Sequence, residues 1–226
     1  MNKIIKTLKR NDVGSIGIGA MIVFIAMVLV AGIAASVLVQ TANRLEMQAM
    51  TTGDETTSEV SSGIKVFDIE GHATGSGTRE LDYLTLSVKP RAGSEDIDLS
   101  TSVIELSEGT TKVVLSYDSN SFASAVSGDD GRVFHATNTI TWSGVDNEEF
   151  GIIVLEDADS SCSSTTPVIN SGDTVMLCIN TGACFAGSGL DTRDNVWGQV
   201  MPEEGARGVF SFRVPTSLTD NVHDLY

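Results

Sequence analysis

The sequence predicts an α+β architecture: a long apolar N-terminal helix followed by an antiparallel β-sandwich or barrel. Two observations carry this reading. Residues 13–43 hold no charged side chain. From Ile64 onward, short alternating apolar and polar runs are broken by Gly, Asp, Ser and Asn, the texture of short strands joined by turns. The expected division is a leader at 1–14, a helix at 15–63 and an outer β domain at 64–226.

The helix is read from length and flanks. An apolar run of about 20 residues, at ~1.5 Å each, crosses the ~30 Å hydrocarbon core of a bilayer. Residues 13–43 exceed that, and exceed the roughly 7–15 apolar residues of a secretory signal. Lys3, Lys6, Lys9 and Arg10 precede the run, opposed only by Asp12, which places the leader on the cytoplasmic side. Small residues sit before the run, at Gly14, Ser15 and Gly17, rather than after it. A cut between Gly14 and Ser15 would remove the basic leader and keep the apolar helix on the mature protein. A plain one-pass anchor fits the charge and hydropathy equally well.

Beyond Asn43 the helical pattern continues. Leu38, Ala42, Leu45 and Ala49 keep an apolar stripe. Thr51, Thr52, Gly53, Thr56, Thr57 and Ser58 then weaken it, and Gly63 is the expected stop. Ile22, Phe24, Ile25, Met27, Leu29, Val30 and Leu38 are the large side chains expected to pack against other helices. Ala31, Gly32, Ala34, Ala35 and Ser36 are small enough to let a neighbouring backbone come close.

Eight strands are expected in the β domain: Ile64–Ile69, Leu81–Val88, Ile97–Leu106, Lys112–Tyr117, Val133–Trp142, Phe150–Leu155, Thr174–Ile179 and Val209–Val214. Residues 156–166 and 182–195, rich in Ser, Gly and Asp, are expected to be exposed loops. Trp142 and Trp197 are expected to fill the core.

The composition excludes some classes of function. Net charge is −16. Losing residues 1–14, with four basic groups and one acidic group, would leave −19. Nucleic-acid binding needs clustered Lys and Arg to displace phosphate counterions, so no nucleic-acid partner is expected. There is no GxSxG, HExxH or P-loop, and an enzyme is not expected. No cofactor is expected either. Asp129, Asp130, Asp157 and Asp159 are weak candidates for a hard divalent cation, although paired Asp in an acidic chain is mostly solvated surface. The histidines, His72, His135 and His223, are scattered. Of the three cysteines, Cys178 and Cys184 are the candidate disulfide, because Asn180-Thr181-Gly182-Ala183 between them could turn the chain back. A Cys162–Cys178 bridge, or three reduced thiols, stay open.

Gly14-Ser15-Ile16-Gly17-Ile18-Gly19, followed by Ile22-Val23-Phe24-Ile25-Ala26-Met27-Val28-Leu29-Val30-Ala31, resembles the N-terminal signature of the archaellins, the filament subunits of the archaeal flagellum (archaellum). Ser87–Ser94 leading into Ile97-Asp98-Leu99, Gly198–Ala206 and the terminal Asp224-Leu225-Tyr226 are similar to the same family. The resemblance implies a type IV pilin-like leader cut by a membrane-embedded prepilin peptidase between Gly14 and Ser15, with Gly17 as the third mature residue. It implies an immunoglobulin-like outer domain. It also implies a helix held in the membrane before assembly and packed in the filament core afterwards. The implied partners are further copies of the chain in a helical homopolymer, paralogous archaellins, the archaellum motor and its membrane platform. The implied location is an extracellular swimming filament. No Asn-x-Ser/Thr sequon is present, so N-glycosylation, frequent in the family, is not expected. Two other readings share parts of this pattern: a pilin-like adhesion subunit, and a membrane-anchored β-sandwich binding protein.

Overall fold

The computed structural model describes residues 2–74, 79–126, 133–134, 140–185 and 189–226, with the backbone alone for 2–13 and 15. The chain divides into two compact units, Met1–Glu55 and Thr56–Tyr226.

Helix α1 runs Asn2–Ser61. It starts earlier than expected because residues 2–13 contain neither Pro nor Gly, so nothing in the leader interrupts it. Two of its hydroxyls bond back along it: Thr51 Oγ1 donates to Met47 O at 2.9 Å, and Thr41 Oγ1 donates to Val37 O. Such bonds back along the helix let Thr sit inside it. The last turn belongs to the second unit and ends where Ser62 N–H donates to Ser58 O at 2.8 Å. Gly63 follows, and there a Cβ would stand 2.7 Å from Ala206 O. The glycine is required by this close approach.

The β domain contains β1 (Ile64–Thr74), β2 (Glu80–Pro90), β3 (Ile97–Asp98), β4 (Val103–Ser107), β5 (Lys112–Ala123), β6 (Glu149–Glu156), β7 (Val168–Ile169) and β8 (Thr174–Asn180). The short helix α2 (Thr181–Cys184), β9 (Asn195–Met201), β10 (Gly208–Arg213) and β11 (Val222–Asp224) complete it. Nine strands form one sheet in the order β10-β9-β4-β5-β6-β8-β2-β1-β11, and β3 pairs with β7 in a small second sheet. Every pairing in the large sheet is antiparallel except β5 with β6. Residues 124–148 join those two, long enough for the crossover that a parallel pair demands. The sheet curls on itself. Ile64 N–H donates to Ala206 O at 3.0 Å and Ala206 N–H to Ser62 O at 2.8 Å, tying the start of β1 to the β9–β10 hairpin.

The central strands are buried on both faces. Leu84, Leu86 and Val88 of β2, Phe150, Ile152 and Val154 of β6, and Val175, Leu177 and Ile179 of β8 point into the main core. Their alternates Ile153, Met176 and Cys178 meet Trp142, Ile140 and Val145 in a second cluster, against which Tyr83, Val133 and Phe134 pack. Each fully buried aliphatic or aromatic side chain contributes about 1.5–3 kcal/mol of transfer free energy.

Three expectations need correction. The expected strand Val133–Trp142 is not strand at its described ends: Val133 and Phe134 lie in a turn and Trp142–Gly144 is a 3-10 turn, while 135–139 lie outside the described residues. Its apolar side chains instead cover the outer side of β6 and β8. The expected strand Ile97–Leu106 is two. Asp98 Oδ1 accepts from Ser100 N at 2.8 Å, and Ser102 Oγ donates to Asp98 O at 3.1 Å, a turn that competes with the strand. Trp197 is not in the core: it is 48% exposed on β9, whereas Trp142 is 4% exposed.

Candidate functional site

What the first unit offers is a surface. Ile22, Phe24, Ile25, Met27, Leu29, Val30 and Leu38 are between 54% and 70% exposed. The apolar character goes all the way round the helix, the pattern of a span or of a helix buried among others. Part of α1, Ile16–Ser61, is long and apolar enough to cross a membrane. One shallow apolar recess is lined by Val23, Ala26, Met27, Val30, Ala31 and Ala34, spaced i, i+3, i+4, i+7, i+8 and i+11. Alanines along such a stripe allow a second helix to approach closely. Of the small residues expected in this region, Ala31 and Ala34 line the recess, whereas Gly32 and Ser36 lie on other sides of the helix.

Gly14, Ser15 and Gly17 all lie within α1. Gly14 and Gly17 are exposed, and a Cβ added at either would meet nothing within 4 Å. Packing within the chain gives no reason for glycine at these positions.

The cysteines do not pair as expected. Cys162, Cys178 and Cys184 are all buried free thiols. Cys178 faces the second cluster and Cys184 the main core, so the sheet lies between them. Burial pushes the Cys184 thiol up to about 12. Burial, then the Asp157 and Asp173 carboxylates, push Cys162 to about 12 as well. Burial alone raises Cys178. Thiols held protonated are poor nucleophiles.

Of the weak cation candidates, Asp129 and Asp130 lie outside the described residues. Asp157 and Asp159 come together with Asp173, their carboxylate oxygens all within 4.8 Å of one another. Asp157 Oδ1 accepts from Ser160 N at 2.7 Å, and Asp173 Oδ2 accepts from Asn170 N at 2.8 Å. The Asn170 amide, 2.7 Å from Asp159 Oδ2, holds that carboxyl below its usual range. Three carboxylates in this arrangement could offer oxygens to a hard cation. Sequence reading missed Asp173 because it lies in a separate turn, Asn170-Ser171-Gly172-Asp173, brought alongside by the β7–β8 connection. His72 is half-buried between Tyr83 and Phe134, with ring centroids 6.0 Å and 5.1 Å away. Burial, then Arg79, lowers its pKa. It forms part of an aromatic stack.

Comparison with known proteins agrees with this geometry. The family model for archaeal-type flagellin matches residues 14–212. Flagellin B2 of Methanocaldococcus jannaschii is 45% identical over 215 residues, covering 95% of this chain and 94% of that protein. Flagellin B3 of Thermococcus kodakarensis is 36% identical over 250 residues, covering 94% and 97%. The crystal structure of archaeal flagellin FlaB1 from Methanocaldococcus jannaschii superposes with a TM-score of 0.65 at 32% identity, over 73% of this chain and 96% of that one. The archaeal flagellum of Methanospirillum hungatei shares the fold, with a TM-score of 0.62 at 17% identity over 91% and 98%. The match begins at Gly14, where the basic leader ends, and takes in both the apolar helix and the curled sheet: the chain belongs to the archaeal-type flagellin family.

Proposed function

We propose that this chain is a structural subunit of the archaeal flagellum filament, and that its apolar helix assembles the polymer. The observation that carries this is the exposure of every large side chain from Ile16 to Leu38 on one continuous helix. No water-soluble monomer tolerates an apolar surface of that extent. Burying about ten such side chains gives an upper figure of roughly 15–30 kcal/mol per subunit relative to water. Lipid solvates the helix before assembly, and neighbouring helices do so afterwards. The difference between those two environments is small, so extraction from the membrane draws on an external energy source.

The finer steps are part of the same proposal. A prepilin peptidase cuts between Gly14 and Ser15, removing Lys3, Lys6, Lys9 and Arg10 and leaving a neutral N-terminal half on the helix. The leader keeps the precursor inserted in the membrane with its N-terminus cytoplasmic. The archaellum motor and membrane platform then act on a polymer of this chain and its paralogues. The outer domain forms the extracellular surface of the filament. Deleting the gene and examining cells by electron microscopy and a swimming assay tests this. Loss or alteration of swimming filaments is expected. Unchanged swimming filaments alongside lost adhesive ones would favour the pilin-like reading.

A further inference from the structure

The outer domain carries one open sheet face that does not resemble the rest of its surface. Residues 64–226 contain 25 acidic and nine basic side chains. Where β10, β9, β4 and β5 pair, the outward charges are Arg207, Arg213 and Lys112 against the single carboxylate Glu105. That carboxylate is occupied: Lys112 Nζ lies 2.9 Å from Glu105 Oε1 and Gln199 Nε2 donates to Glu105 Oε2 at 2.6 Å. Arg207 Nη1 donates to Gln199 Oε1 at 3.1 Å. The chain of contacts runs from β5 through β4 and β9 to Arg207, just ahead of β10, and carries one net positive charge; Arg213, whose Nε donates to Arg193 O at 3.1 Å, adds a second. Among these groups stand Trp197, 48% exposed, Val209, 70%, and Val114, 51%. An open Trp flanked by arginines is the composition of an interface centre, and within its own chain this Trp is left half in water.

The same unit supplies a complement. A cleft of about 220 Å³ is lined by Glu95, Asp96, Asp98, Glu203 and Glu204 together with Ser58, Ser62 and Ile97. No Lys or Arg is among those lining residues. Ser58 Oγ donates to Glu95 at 3.4 Å and to Glu204 at 3.5 Å, contacts too weak to offset five carboxylates.

We propose that the Trp197 face of one subunit docks on the acidic cleft of a second copy of this chain, with Arg207 and Arg213 facing Glu203 and Glu204. This rests on the filament reading above. The charge pattern selects the partner: a positive, aromatic patch on a strongly acidic protein is repelled by few surfaces of its own kind and attracted to the most acidic one. Two different patches in contact form a heterologous interface, which repeats without closing and so suits an open polymer. The apolar helices supply most of the cohesion; this contact sets how neighbouring outer domains sit against each other.

The test uses filaments sheared from cells that produce the full-length chain. One variant carries Arg207→Glu with Arg213→Glu, a second carries Glu203→Lys with Glu204→Lys, and a third combines all four. Loss of subunits on heating is followed by light scattering at low and high salt. Each charge-reversed pair should shed subunits roughly tenfold faster at low salt, with the difference shrinking at high salt. The combined variant should recover most of the loss. If either pair yields no filament, the combined variant should restore it. Trp197 emission should move to shorter wavelength on assembly, and Trp197→Phe should remove that change because Trp142 is buried in either state. Filaments as durable as the parent's in both reversed pairs, or a combined variant no better than its worse half, would overturn the contact. Failure of the filament reading looks different: the unaltered chain would then be missing from the filaments altogether.

Discussion

Cys178 and Cys184 are six residues apart in sequence, yet they belong to different hydrophobic clusters, Cys178 to the one that holds Met176 and Trp142 and Cys184 to the one that holds Phe185 and Leu190. The strand alternation of β8 turns Cys178 away, and α2 carries Cys184 to the other side. Alkylation of the denatured chain without reductant should therefore label all three cysteines. The folded chain at neutral pH should label far more slowly, since each thiol is buried and protonated. A peptide pair that resists alkylation until reductant is added would contradict this arrangement.

Gly198 of β9 sits where a Cβ would stand 2.4 Å from Glu105 O and 2.5 Å from Phe210 Cζ. Gly198→Ala should force β9 away from β4 and cost about 1–3 kcal/mol, the range for overpacking a filled core. Denaturant unfolding of the full chain in detergent measures it. A stability equal to that of the parent would show that the two strands have room to part.

Glu70 of β1 lies opposite Asp224 of β11 in register, and burial, then Asp68 and Asp224, raise its pKa above the ordinary 4.5. Its folded-state value is the higher one. Stability from this group is therefore full below about 4.5 and declines as pH rises through the folded value. Glu70→Gln should slow amide exchange in β11 at neutral pH, and the gain should vanish as pH falls toward 4. A gain independent of pH and salt would show that charge is not the cause.

Much of the fold was legible because it rests on patterns a single sequence carries. The uncharged run at 13–43 announced α1, and the alternation in β1, β2, β5, β6, β8 and β10 announced those strands. β9 was missed because Gly198 stands at one of its inward positions, between Val196 and Val200, and a glycine breaks the period by which a strand is read. β11, three residues long, is fixed by its pairing with β1 and not by local pattern. The described ends of the apolar segment at 133–142 misled in the opposite direction: Val133, Phe134, Ile140 and Trp142 are apolar because they serve a second cluster on the far side of the sheet, and none of them lies in a strand. The exposed Trp197 was likewise illegible, because composition favours a buried Trp and only the register of β9 turns it outward.

Ile25 and Leu29 bring the helix into the same account. Ile25→Asp or Leu29→Asp places a carboxylate in lipid before assembly and among apolar helices afterwards. Either location costs several kcal/mol unless the group is neutralised. Filaments should be absent in electron micrographs while the outer domain, a separate compact unit, remains folded by circular dichroism. Normal filaments from Leu29→Asp cells would refute helix packing as the source of cohesion.

The central claim is that the apolar helix is kept and built into the polymer. The N-terminal sequence of this protein recovered from filaments sheared off the cell surface tests it most directly. The mature chain should begin at Ser15 and retain Phe24 and Met27. A mature terminus beyond Ser36, or recovery of the chain only from the membrane and never from filaments, would contradict it.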